Sequence, residues 1–166
     1  MVICYIAVGS NLGDRAHYIQ TALRKIRQIP QTRLLKVSSL IETPPEGGPA
    51  GQGPYLNGVL QVETDLFPYH LLGALQKIEH ELGRVRTCLN APRPIDLDIL
   101  TYGDAMIREE ALCIPHPRML TRRFVLEPLE QISPGMTEKV RAMTGARTVK
   151  KPGKKPARGI KGKKKR

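Results

Sequence analysis

The constraint that narrows the fold most is the order in which apolar residues change their spacing along the chain. Val2–Val8 (VICYIAV) is a nearly unbroken apolar run rich in β-branched residues, and it ends in Gly9-Ser10-Asn11-Leu12-Gly13-Asp14. This predicts a central strand followed by a turn. Ile19, Ala22, Leu23, Ile26 and Ile29 then recur at helical spacing, from Asp14 as a cap until Pro30 stops the pattern. Leu34–Glu42 and Leu56–Thr64 read as strands separated by TPPEGGPAGQGP, a stretch too long for a tight hairpin and of a kind that often carries function. Pro68 opens a second helix, Leu71, Leu72, Leu75, Ile78 and Leu82 give its apolar face, and Gly83 ends it. Ile95–Tyr102 is a fourth strand. The order β-α-β-β-α-β predicts an α+β chain of the ferredoxin-like kind, an antiparallel sheet with both helices on one face. The other face then needs a cover or a ligand. C-terminal additions from Ile114 to Met136 are expected as a loop and a short helix at the sheet edge.

Charge divides the chain in two. The net charge is +12 over 166 residues, yet Lys150–Arg166 alone holds eight Lys and two Arg and no acid, leaving 17 basic and 15 acidic residues before it. Residues 1–149 are therefore expected to form one domain, and 150–166 a disordered basic tail with almost nothing apolar to bury. No apolar run approaches the roughly 18 residues of a membrane span, and Met1–Val8 lacks the basic lead and cleavage site of a signal peptide. Cys4, Cys88 and Cys113 are odd in number and hold no C-x-x-C pair, so neither a disulfide framework nor a zinc site is indicated. A cytoplasmic monomer with reduced thiols is expected.

The strongest chemical signal is Pro92-Arg93-Pro94-Ile95-Asp96-Leu97-Asp98-Ile99-Leu100. Side chains alternate along a strand, so Asp96 and Asp98 share one face about 6.5–7 Å apart, with Ile95, Leu97 and Ile99 on the other. Two such carboxylates repel, and a divalent cation relieves the repulsion. Oxygen ligands of this kind suit magnesium, which takes one or two carboxylates and completes its shell with water and phosphate oxygens. The plainer reading is a solvated edge strand. Arg84, Arg86, Arg93 and Arg122 are candidate phosphate ligands, although each alone is an ordinary surface residue. Gln76 and Glu79 share a helix edge and can accept hydrogen bonds from a nucleotide, or from solvent. His116 stands between two prolines on a stiffened loop. With only five Tyr, two Phe and no Trp, Tyr55 and Phe124 are candidates to stack a flat heterocycle whose edge Asn57 reads, against the alternative of core packing. No G-x-x-x-x-G-K-[ST] or G-x-G-x-x-G loop is present, so side chains must grip any nucleotide.

Taken together, these residues resemble 6-hydroxymethyl-7,8-dihydropterin pyrophosphokinases, enzymes of folate synthesis. The resemblance runs from Val2 to about Ile132, through YIAVGSNLGD (5–14), TPP (43–45), YLN (55–57), QKIE (76–79), GRVR (83–86), APRPIDLDIL (91–100), IPHP (114–117) and RRFVLEPL (122–129). It implies transfer of diphosphate from ATP, with two magnesium ions on Asp96 and Asp98, and with Arg84, Arg93, Asp96 and Asp98 as the catalytic set. It implies ATP contacts at Gln76, Glu79, Arg84, Arg86, Arg93, Ile99, His116 and Arg122, and a pterin pocket of Thr43, Pro44, Tyr55, Asn57, Asp96 and Phe124. Glu46 stands where such proteins often carry an apolar residue, and Leu89 where they carry a charged one. The competing class is a nucleic-acid module, because RNA-recognition domains share the same element order and the tail is basic. It lacks the aromatic strand run that stacks bases, so any contact through the tail is expected to be blind to sequence.

Overall fold

The computed structural model describes residues 1–85 and 90–146. Its element order is β1 (Val2–Ser10), α1 (Arg15–Ile26), β2 (Thr32–Val37), β3 (Ile41–Thr43), β4 (Tyr55–Thr64), α2 (Pro68–Glu81), β5 (Asp96–Tyr102), β6 (Ile107–Arg108), β7 (Cys113–Ile114), α3 (Arg123–Ile132) and α4 (Met136–Thr144). The result is a mixed α/β fold around an antiparallel sheet of order β2-β4-β1-β5, with β3 also paired to β4. The β6–β7 pair forms a separate small hairpin. Among the described residues no helix is long and apolar enough to cross a membrane.

The run at β1 is buried on both sides because it lies inside the sheet and each face is covered. Cys4, Ile6 and Val8 join Leu60, Val62, Leu97 and Ile99 against α1 and α2, which bring Ile19, Leu23, Leu71 and Leu75. On the opposite face, Ile3, Tyr5 and Ala7 meet Val59, Leu100 and the apolar side of α3, with Val125, Leu129 and Ile132. The expected Asp14 cap is present, its Oδ1 accepting from the His17 amide at 3.0 Å, and Pro68 occupies the first turn of α2.

Two expectations are corrected. The segment 34–42 is not one strand. The Ser38 hydroxyl accepts from the Val59 amide at 2.9 Å, taking a place that a strand backbone would fill, and the chain bends into β2 and β3. The C-terminal segment is not an edge feature either: α3 lies across the second face of the sheet. Its apolar side is wide enough to cover Tyr5, Val59 and Leu100, a demand set by strands distant in sequence.

Candidate active site

Strand β5 separates two environments residue by residue. Ile95, Leu97 and Ile99 enter the core below the sheet, while Asp96 and Asp98 rise on the α3 side, beyond the area that α3 covers. Their neighbours across the ladder are Gly9 and Ala7 on β1. These small residues keep the floor low: a Cβ on Gly9 would stand 2.8 Å from Asn57 Oδ1 and 3.7 Å from the Tyr55 ring.

Asp96 is held by two arginines. Arg84 Nη1 donates to its Oδ1 at 2.6 Å, and Arg93 Nη1 to its Oδ2 at 3.3 Å. Arg93 also donates from Nε to the Tyr55 hydroxyl at 3.2 Å, its guanidinium 5.9 Å from that ring's centre. Asp98 has neither a hydrogen-bond nor an ion-pair partner on its carboxylate among the described residues. Burial first, and the Asp96 charge second, push it up to about 6 against the pull of Arg84, Arg122 and Arg93. A pair of oxygen donors, one of them unpartnered and destabilised as an anion, is what a magnesium ion with further water or phosphate ligands would satisfy. No cluster of three acidic, His or Cys ligands occurs among the described residues, so the protein would supply only part of such a shell.

Glu79 is held by partners within the protein. It is 4% exposed, and its Oε1 accepts from the Leu97 amide at 2.7 Å and from Arg84. Burial pushes it up to about 7, although Arg84 and the Leu97 amide oppose the shift. It therefore braces Arg84 beneath Asp96. With Gln76, His80 and Arg84 it lines a second hollow beside α2. His116 lies at the main cavity, its backbone amide on Leu100 O at 2.8 Å and its Nδ1 accepting from the Arg118 amide at 3.2 Å. Burial, then the Arg122 and Arg118 charges, push its pKa down to about 4, so the ring is neutral near pH 7.

The pterin candidates form the facing wall. Asn57 Nδ2 donates to Thr43 Oγ1 at 2.8 Å, which leaves Oδ1 turned over Gly9. Thr43, Pro44, Tyr55 and Asn57 border the same cavity as Asp96 and Asp98, and Phe124 closes it from α3 with the Arg122 guanidinium 5.3 Å from its ring centre. The main cavity is lined by all the predicted residues except five, of which Arg84 lies in the second hollow and reaches the cavity through its bond to Asp96. Gln76 and Glu79 lie in the second hollow, Ile99 is 4% exposed in the core below the sheet, and Arg86 lies outside the described residues.

Asn11, read from sequence only as part of a turn, is a further constituent of the site. Its Oδ1 accepts from the Arg93 amide at 2.9 Å, its amide donates to Arg93 O at 3.2 Å, and its Nδ2 reaches Gln52 Oε1 and Gly53 O. It ties the arginine that precedes the acidic strand to the long loop. Its position in the GSNLG block was the available signal.

Residues 5–134 match the family model described as 7,8-dihydro-6-hydroxymethylpterin-pyrophosphokinase (HPPK). The chain is 45% identical over 130 residues to a 2-amino-4-hydroxy-6-hydroxymethyldihydropteridine pyrophosphokinase of Bacillus subtilis, covering 78% of this chain and 77% of that one. It is 44% identical to the protein of the same name from Haemophilus influenzae, over 80% of this chain and 82% of that one. Folic acid synthesis protein fol1 of Schizosaccharomyces pombe is 46% identical over 134 residues, but the match spans only 18% of that longer protein. In architecture the chain is similar to a crystal structure described as HPPK-DHPS in complex with substrates, with a TM-score of 0.59 and 14% identity, over 79% of this chain and 40% of that one. At that identity the likeness concerns the fold.

Proposed function

The chain belongs to the 7,8-dihydro-6-hydroxymethylpterin-pyrophosphokinase family, and from that premise we propose that its cavity transfers diphosphate from ATP to the hydroxymethyl group of 6-hydroxymethyl-7,8-dihydropterin, releasing AMP, in folate biosynthesis. One observation carries the reading: an acidic pair flanked by arginines and a wall of Tyr55, Asn57 and Phe124 border the same cavity. Asp96 and Asp98 would hold two magnesium ions, which supply positive charge to the phosphate oxygens. Arg84, Arg93 and Arg122 bind the phosphate chain in fork geometry, Arg84 and Arg93 exchanging part of their hold on Asp96 for it. Tyr55 and Phe124 stack on the pterin, and Asn57 offers Oδ1 to a ring N–H.

The hydroxymethyl oxygen bonds to the β-phosphorus as the bond from that phosphorus to the α–β bridging oxygen breaks. The hydroxyl proton passes to water, and the bridging oxygen leaves with AMP. Positioning and preset charge then carry the rate, without a dedicated general base. The test is AMP release from ATP by the purified chain. It is expected only when magnesium and the reduced pterin are both present, and AMP formed equally well without the pterin would overturn the reading.

The strand order β2-β4-β1-β5 supports the ferredoxin-like class. We read the chain as a monomeric cytoplasmic enzyme, consistent with free Cys4 and Cys113. Its catalytic domain is 1–149, and the tail from Lys150 lies outside the described residues. Tyr5, the aromatic of the central strand, lies buried beneath α3 with its hydroxyl on Ser133 Oγ at 2.7 Å, where it offers no surface on which to stack a base.

A further inference from the structure

Glu46 lies on the cavity wall, two residues after Pro44, and the mechanism above makes no use of it. Its Oε2 stands 3.4 Å from Nε of Arg122, and the two side chains are 56% and 16% exposed. That Nε–H is buried and has no hydrogen-bond partner among the described residues. The two groups are therefore paired in charge but not in hydrogen-bond geometry. The segment carrying Glu46 is seated on the far wall: the Glu46 carbonyl accepts from Asn90 Nδ2 at 3.4 Å, and Gly48, at φ 88°, passes so near Asn90 O that a Cβ there would collide with it.

We propose that Glu46 is a stand-in anion on Arg122, one that the triphosphate must displace, and that it thereby sets the nucleotide affinity of the site. The inference rests on the reading of Arg122 as a phosphate ligand. An ion pair whose carboxylate is open to water, as that of Glu46 is, is worth about 1.4- to fivefold in an equilibrium. A phosphate oxygen can accept from the Nε–H that Glu46 leaves unbonded and pair with the same guanidinium in fork geometry. The carboxylate loses this exchange, and its removal strengthens nucleotide binding. Pairs of this kind do not act through a general field alone. Glu42, four residues earlier, carries the same charge but is held by Arg15 at 2.7 Å, outside the cavity lining.

The experiment is calorimetric titration of the whole chain with magnesium and α,β-methylene ATP, which cannot release AMP. Glu46→Gln is expected to lower Kd about 1.4- to fivefold, Glu42→Gln to leave it unchanged, and Glu46→Gln to have no effect once Arg122→Gln is present. In turnover, Glu46→Gln should lower KM for ATP without raising kcat, because the interaction it removes belongs to the free enzyme. Unchanged or weaker binding by Glu46→Gln overturns the inference, as does equal tightening by Glu42→Gln or tightening that persists without Arg122. A wild-type chain that binds the analogue but shows one of these results loses only this inference. One that does not bind it loses the nucleotide reading as well.

Discussion

Asp96 and Asp98 carry equal charges two residues apart, but their surroundings differ, and substitution should separate them. Asp98→Asn keeps the volume and removes a half-buried, unpartnered charge, so the melting temperature should hold or rise. Asp96→Ala leaves Arg84 and Arg93, 14% and 18% exposed, short of their shared acceptor and should cost about 1–3 kcal/mol. Both should reduce kcat more than tenfold, about 1.4 kcal/mol; a Asp98→Asn protein less stable than Asp96→Ala would contradict this account. Glu79 and His116 pull the pH dependence of stability in opposite directions. Glu79, raised to about 7, binds its proton earlier in the folded state, so its contribution is present below its ordinary pKa and lost as pH rises through 7. His116, lowered to about 4, stays neutral in the fold while the unfolded chain protonates, so its contribution is full above its ordinary 6.5 and lost as pH falls toward 4. Urea unfolding without magnesium should show a steeper rise of stability with pH for Glu79→Gln, and a flatter one for His116→Gln, across pH 4.5 to 6.5. The acidic pair and its arginines were legible in sequence because alternation on a strand needs no knowledge of the fold. The bracing role of Glu79 was not, because its partners, Leu97 N and Arg84, come together only when α2 packs against β5.

Elements behave similarly. Helices α1 and α2 follow from their periodicity and their start signals, all local, although α1 already ends at Ile26, ahead of Pro30, and leaves Ile29 outside the helix. The break between β2 and β3 depends on one hydroxyl meeting an amide 21 residues away, and no local pattern announces such a bond. Ser38→Ala should leave the Val59 amide buried without its acceptor and cost about 1–3 kcal/mol. Because β3 carries Thr43, which orients Asn57, the same change should weaken pterin binding more than nucleotide binding. Calorimetry with each ligand checks this, and equal losses for both would mean that the bend serves the fold alone.

At the scale of the whole molecule, the sheet's first cover was predictable and its second was not, since the apolar side of α3 acquires meaning only against Tyr5, Val59 and Leu100. Every site residue placed in the cavity precedes Val149, so truncation after it should keep kcat/KM within about threefold, roughly 0.65 kcal/mol. Retention on RNA at low salt, measured alongside, should vanish with the ten tail charges. The cavity itself has a floor of hydrogen-bonded sheet, with Gly9 and Ala7 beside Asp96 and Asp98, and a wall to which the loop contributes Pro44, Glu46 and Gly47. Floor and wall are therefore separate design variables, apart from Gln52 and Gly53, where Asn11 ties the loop to Arg93. Directed evolution that randomises the loop can retune substrate choice while melting behaviour stays near that of the parent, whereas enlarging Gly9 alters the site and the β1–β4 ladder together.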